Sequence, residues 1–131
     1  MSSAVIGKTK SAGFQAGKRK TLELSSDCLW RIVVSSKGQE PLGQNPKQID
    51  PYTNGLSTFV EGSHYRQTVE TELGKSALLQ VRIISVGSKK STLALHIEKL
   101  VDSTQREKFL NLFNSALRSF ESEAEKTTVR H

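Results

Sequence analysis

Residues 102–123, DSTQREKFLNLFNSALRSFESE, constrain the fold of this chain more than any other stretch. Phe109, Leu112, Phe113, Ala116, Leu117 and Phe120 fall at i, i+3, i+4, i+7, i+8 and i+11, with Leu110 at the edge of the same stripe. That spacing predicts one face of an α-helix. Asp102 or Ser103 can cap its first free N–H groups, and Thr104-Gln105-Arg106-Glu107 has the spacing of a capping box. Three of the five Phe lie on this stripe, so the residues before it must supply an apolar surface to receive it. At the other end Glu121, Glu123 and Glu125 oppose the helix dipole, which predicts a frayed tail over residues 124–131.

The receiving surface is legible as alternation. Tyr65, Gln67, Val69, Thr71 and Leu73 alternate with Arg66, Thr68, Glu70 and Glu72. Leu79, Val81 and Ile83 alternate with Gln80, Arg82 and Ile84, and Leu93, Leu95 and Ile97 alternate with Ala94, His96 and Glu98. This predicts an antiparallel meander. A three-residue loop at Gly74-Lys75-Ser76 pairs Val69 with Val81, and the same parity test at residues 87–91 sets Ile83 opposite Leu95 and Val81 opposite Ile97. Residues 56–61 add a short strand closed by Gly62-Ser63. Earlier, Thr21-Leu22-Glu23-Leu24 and the apolar run of residues 29–34 read as two strands of a hairpin turned by Ser25-Ser26-Asp27, with Trp30 in the core. Residues 37–55 hold all three prolines, Pro41, Pro46 and Pro51, and read as a long loop. It is a second candidate contact surface, where Lys47, Tyr52 and Asn54 can meet a ligand, while Asn54-Gly55 is the turn that leads back into the sheet.

The expected fold class is therefore α+β: an antiparallel sheet of five to seven strands, bent or barrel-like, packed against one C-terminal helix. At 131 residues the chain divides into a flexible basic arm over residues 1–20, a single domain over 21–123 and the frayed tail.

Charge gives the first functional signal. Residues 1–20 contain Lys8, Lys10, Lys18, Arg19 and Lys20 and no acid, whereas the other 111 residues hold 14 Lys and Arg against 13 Asp and Glu. A mobile arm of that kind suits phosphate contacts, each releasing a counterion. On the outer sheet face, Arg66 and Arg82, with the turn cations Lys89 and Lys90, are further candidates for phosphate contact. That face is mixed in sign and carries no Phe or Trp, which argues against base stacking on it.

Other chemistry is missing from the sequence. Cys28 is the only cysteine, so no intrachain disulfide or multi-cysteine zinc site can form, and a reducing intracellular compartment is expected. Neither a secretory signal nor a run of transmembrane length is visible. His64, His96 and His131 show no metal-ligand spacing, and no nucleophile elbow, zinc-protease motif or dinucleotide fingerprint is present. No catalytic residue, cofactor, metal or small-molecule substrate is expected.

Leu93, Leu95 and Ile97, followed by Asp102-Ser103 and then Arg106-Glu107-Lys108-Phe109, resemble the end of pleckstrin-homology-like domains. The resemblance covers about a quarter of the chain. It implies a bent antiparallel sheet plugged at one end by a C-terminal helix. Phe109 stands where many such domains carry Trp, and Ser25-Ser26-Asp27 lacks the cations of that family's phosphoinositide-binding loop. A sheet followed by a helix is also similar to the Whirly and PUR single-strand nucleic-acid binders and, distantly, to small RNA-phage coat proteins. The expected function is non-enzymatic binding of RNA or single-stranded DNA through the arm, with the body as scaffold or assembly surface; a small viral coat protein is a special case. The alternative is a pleckstrin-homology-like module that binds a protein partner.

Overall fold

The computed structural model describes residues 8–9, 13–72 and 74–129. One six-stranded antiparallel sheet carries the fold, in the order β1-β2-β6-β5-β4-β3. Its strands are β1 (Lys8–Thr9), β2 (Gly13–Leu22), β3 (Leu56–Val60), β4 (His64–Glu72), β5 (Lys75–Gly87) and β6 (Lys90–Leu100). Helices α1 (Ser26–Val34) and α2 (Ser36–Gln39) lie between β2 and β3, and α3 (Ser103–Val129) closes the chain. The expected α+β architecture, an antiparallel sheet with a C-terminal helix, is what forms. Among the described residues no helix is long and apolar enough to cross a membrane.

The helices cover one face of the sheet. Leu93, Leu95 and Ile97 of β6, Leu79, Val81 and Ile83 of β5, and Tyr65 and Val69 of β4 all point into the core, where Phe113, Ala116, Leu117 and Phe120 of α3 meet them. Trp30 of α1 packs edge-on against Phe59 and Tyr65, with ring centroids 5.7 and 6.3 Å away. Removing this much apolar surface from water is the main term favouring the fold.

Several expectations need correction. Residues 29–34 form a helix, not a strand. A short apolar run suits either conformation, and here Ser25 decides by capping α1, its Oγ accepting from the Cys28 N–H at 3.2 Å. Leu29, Trp30, Val33 and Val34 then fall on one buried helical face. Residues 13–20 are not an arm. They are strand β2, paired along its length with β6 from Phe14↔Leu100 to Leu22↔Ser91, and the expected hairpin partner of residues 21–24 is replaced by β6. The long loop also begins later than expected, because residues 36–39 form α2, capped by Ser35.

The C-terminal end does not stop at residue 123 either. The helix runs to Val129 with Ala124 buried in the core, and two of its acids are paired: Glu121 with Lys20 at 3.5 Å and Glu123 with Lys126 at 3.5 Å. At its start the cap is Asp102, whose Oδ1 accepts from the Gln105 N–H at 2.8 Å, while Gln105 Oε1 accepts from the Val101 N–H at 3.0 Å. The reciprocal box is thus Asp102 and Gln105 rather than Thr104 and Glu107. The sheet faces follow the expected parity, but the registers differ. Val69 pairs with Ala77 and Tyr65 with Val81, Val81 pairs with Leu95, and Ile83 with Leu93. Tighter links between the strands produce these shifts, with Glu72 directly opposite Lys75 and Gly87 opposite Lys90.

The α1–α2 junction depends on Gly38. A Cβ there would collide with the Ile32 and Val33 carbonyl oxygens, which are backbone atoms and cannot swing aside. Gly38→Ala is therefore expected to cost about 2–3 kcal/mol, measured as a lowered urea midpoint with an unchanged slope.

Candidate anion-binding face

Among the described residues no element covers the face of the sheet turned away from the helices, and the pleat sorts one set of side chains onto it. Opposed pairs share a face, so Gly17 lies beside His96, His96 beside Gln80 and Gln80 beside Arg66. One pleat along, Arg19 lies beside Ala94, Ala94 beside Arg82 and Arg82 beside His64. Gly17 and Ala94 supply the least bulk and leave a basin of about 890 Å³ between the taller side chains. Among the described residues its lining includes Arg19, Arg66 and Arg82, together with His64, His96, Gln80 and Thr58, and no carboxylate.

Hydrogen bonds fix the floor. The Gln80 amide nitrogen can only donate, and it approaches both His96 Nδ1 at 3.3 Å and Glu98 Oε1 at 3.2 Å. Nδ1 of His96 is thus the acceptor, and its Nε2–H donates to Gln15 Oε1 at 2.9 Å. This is the neutral imidazole with its proton on Nε2. Burial holds the His96 pKa below the usual 6.5 and Arg66 adds to the lowering, with Glu98 opposing both. His64 is lowered too, first by burial and then by Arg82 and Arg66; its Nδ1 meets Ser63 Oγ at 2.8 Å. Arg66 lies 3.8 Å from Glu98 at the rim, and its Nε–H is buried with no acceptor among the described residues. Arg19 and Arg82 are exposed.

The residues expected to bind phosphate therefore divide. Arg19, Arg66 and Arg82 come together in the basin. Lys18 borders it, but it stands opposite the core residue Leu95 and so shares the helix-side parity of Lys20, which pairs with Glu121. Lys89 is exposed in the β5–β6 turn, and Lys90 is held by Glu23 at 3.5 Å. Lys8 sits in β1 opposite Phe14, and Lys10 lies outside the described residues. Glu72, expected on the same face, instead accepts from Gln105 of α3 at 2.6 Å. The sequence reading set Gln80, His96 and Glu98 on the correct face but did not join them to Arg19, because residues 13–20 were not read as a strand. The signal was there in Phe14, Ala16 and Leu22, which share one parity. Among the described residues, no group of three His, Cys, Asp or Glu stands together to hold a metal.

No family model matches the sequence, and neither does any curated protein. Solved structures do match the fold. A protein of the dynemicin biosynthetic locus aligns at TM-score 0.69 and 7% identity over 85% of this chain, which spans 47% of that one. A protein from Chromobacterium violaceum aligns at 0.66 and 12% identity, covering 85% of this chain and 96% of the other. A START superfamily protein from Mycobacterium smegmatis aligns at 0.52 and 10% identity, covering 86% and 98%. Likeness at such identity is a likeness of fold alone, a sheet wrapped on a C-terminal helix.

The two lowered imidazole pKa values have a stability consequence with a definite sign. Below about 6.5 the unfolded chain takes up protons that the folded His64 and His96 resist, so the unfolded state gains and stability falls as pH drops through that range. The urea midpoint is expected to decline between about pH 7.5 and pH 5, and the His64→Gln/His96→Gln double variant to decline less steeply.

Proposed function

We propose that this protein is a non-enzymatic binder of single-stranded nucleic acid, with the open sheet face rather than an N-terminal arm as the main phosphate-contacting surface. The single observation that carries this reading is the basin into which Arg19, Arg66 and Arg82 converge, with no carboxylate lining it among the described residues. An arginine fork matches phosphate oxygens bidentately, and Arg19 and Arg82, exposed and flanking Ala94 two strand spacings apart, stand roughly 10 Å from each other along the sheet. That leaves room for successive phosphates of an extended strand. Among the described residues no Phe or Trp lines the basin, so the contacts are to the backbone and carry little sequence preference.

Salt dependence and protonation test this directly. Three arginine–phosphate contacts give a slope of about −2 in log affinity against log salt for single strands, and each Arg→Gln change at positions 19, 66 or 82 removes about 0.7 of it. Fluorescence anisotropy with a labelled oligonucleotide at several salt concentrations measures both. In the full chain, Lys8→Gln/Lys10→Gln is expected to change the slope less than Arg19→Gln/Arg82→Gln. An anion in the basin favours the imidazolium form of His64, so affinity should rise as pH falls, and His64→Gln should remove that rise. Absence of binding at low salt contradicts the proposal. Copurification of one stoichiometric protein partner without nucleic acid supports the pleckstrin-homology-like interaction module in its place.

A further inference from the structure

Asn54-Gly55, the dipeptide that turns the proline-rich loop into β3, carries a chemistry that the sheet does not use. The fold demands glycine at position 55. Its φ is +87°, and a Cβ there would stand 2.9 Å from the Thr68 carbonyl oxygen. The backbone nitrogen that follows Asn54 is therefore shielded by no side chain of its own residue, and both residues are exposed to water.

Hydrogen bonds hold the dipeptide in place but leave its two complementary groups untouched. The Thr68 N–H donates to the Gly55 carbonyl at 2.8 Å, and the Gln67 amide nitrogen donates to the Asn54 carbonyl at 3.4 Å. Just upstream, the Tyr52 N–H donates to Asp50 Oδ1 at 2.8 Å and the Thr53 N–H to the Asp50 carbonyl at 3.0 Å. The Gly55 N–H, by contrast, donates to no acceptor among the described residues, and the Asn54 side-chain amide makes no hydrogen bond to them. A backbone nitrogen and a side-chain carbonyl carbon of adjacent residues thus lie within reach of a five-membered ring closure, which proximity favours.

We propose that Asn54 is a site of spontaneous backbone rearrangement in the folded protein. The Gly55 nitrogen loses its proton to hydroxide and attacks Asn54 Cγ. The new N–Cγ bond closes a succinimide as the Cγ–Nδ2 bond breaks, and Nδ2 takes a proton from water and leaves as ammonia. Water then opens the ring at either carbonyl, giving aspartate or isoaspartate. The net change is one water consumed and one ammonia released. Isoaspartate lengthens the main chain by one carbon just before Gly55, whose carbonyl receives the Thr68 N–H. That first rung between the loop and β4 is lost, and the entry to β3 loosens. Strand β3 carries Phe59, whose ring packs on Trp30 at 5.7 Å, so the change reaches the edge of the core.

The chain's other asparagines serve as internal controls. Asn45 precedes Pro46, whose nitrogen has no proton to lose, and Asn111 and Asn114 lie in α3, where the helical ladder ties up the following N–H groups. The test ages the folded full chain in neutral and in mildly alkaline buffer and maps its peptides by mass spectrometry. Conversion at Asn54 is expected at least about tenfold faster than at Asn111 or Asn114, and faster in the alkaline buffer. Asn54→Gln, which would have to close a six-membered ring, should abolish the signal. Hydrogen exchange at the Thr68 amide should be at least about tenfold faster in the isoaspartyl fraction than in fresh protein. Asn54→Asp, with the same charge on an ordinary backbone, should keep Thr68 protected. Absence of conversion at Asn54, conversion only once urea has unfolded the chain, or a rate no greater than at Asn111 and Asn114 would overturn the site. Unchanged exchange at Thr68 would overturn the loosening of β3.

Discussion

Everything in this structure depends on the burial of the Phe113, Ala116, Leu117 and Phe120 stripe of α3 against β2 and β6. The stripe needs a flat apolar surface, and the alternating strands provide one on a single face. Once that face is committed to the helices, the other is left to solvent, and the pleat determines which side chains stand on it. The basin of arginines and histidines is therefore a direct consequence of the helix packing. Its residues come from strands β2, β3, β4, β5 and β6, and only the sheet brings them side by side.

The same packing explains why residues rich in lysine enter the sheet. Strand β2 alternates Ala16 and Leu22 toward the core with Gly17, Arg19 and Thr21 outward, and it gains a full ladder with β6. Thr21 and Thr92 hydrogen-bond across that ladder at 2.8 Å on the open face. Lys20 falls on the helix side at the flank, where its stem can lie along apolar surface and its ammonium meets Glu121. That pairing is exposed and worth little by itself. It does remove one of the acids set against the dipole of α3, as Lys126 does for Glu123.

How much of this was legible in the sequence follows from range. The α3 stripe and the alternation of β4, β5 and β6 are local patterns several residues long, and they gave the fold class and the correct faces. The run 29–34 differs from its strand reading because five apolar residues around Arg31 carry no decisive period, and the Ser25 cap that settles the matter lies before the run. Residues 13–20 were misread because their charge suggested an arm, while their partner β6 lies more than seventy residues away. For the site, Arg66 and Arg82 could be placed on one face by parity, but Arg19 could join them only through the β2–β6 pairing. Registers failed where turn length had to be guessed.

The central claim is that the uncovered sheet face is the phosphate-binding surface. The most direct measurement is a backbone and arginine side-chain NMR map of the full chain on addition of a short single-stranded oligonucleotide. The account expects the largest shifts at Arg19, Arg66 and Arg82, with neighbouring changes at Gly17, Ala94 and His96, and little change along α3. Shifts confined to residues 1–12, or centred on α1 and α3, would contradict it.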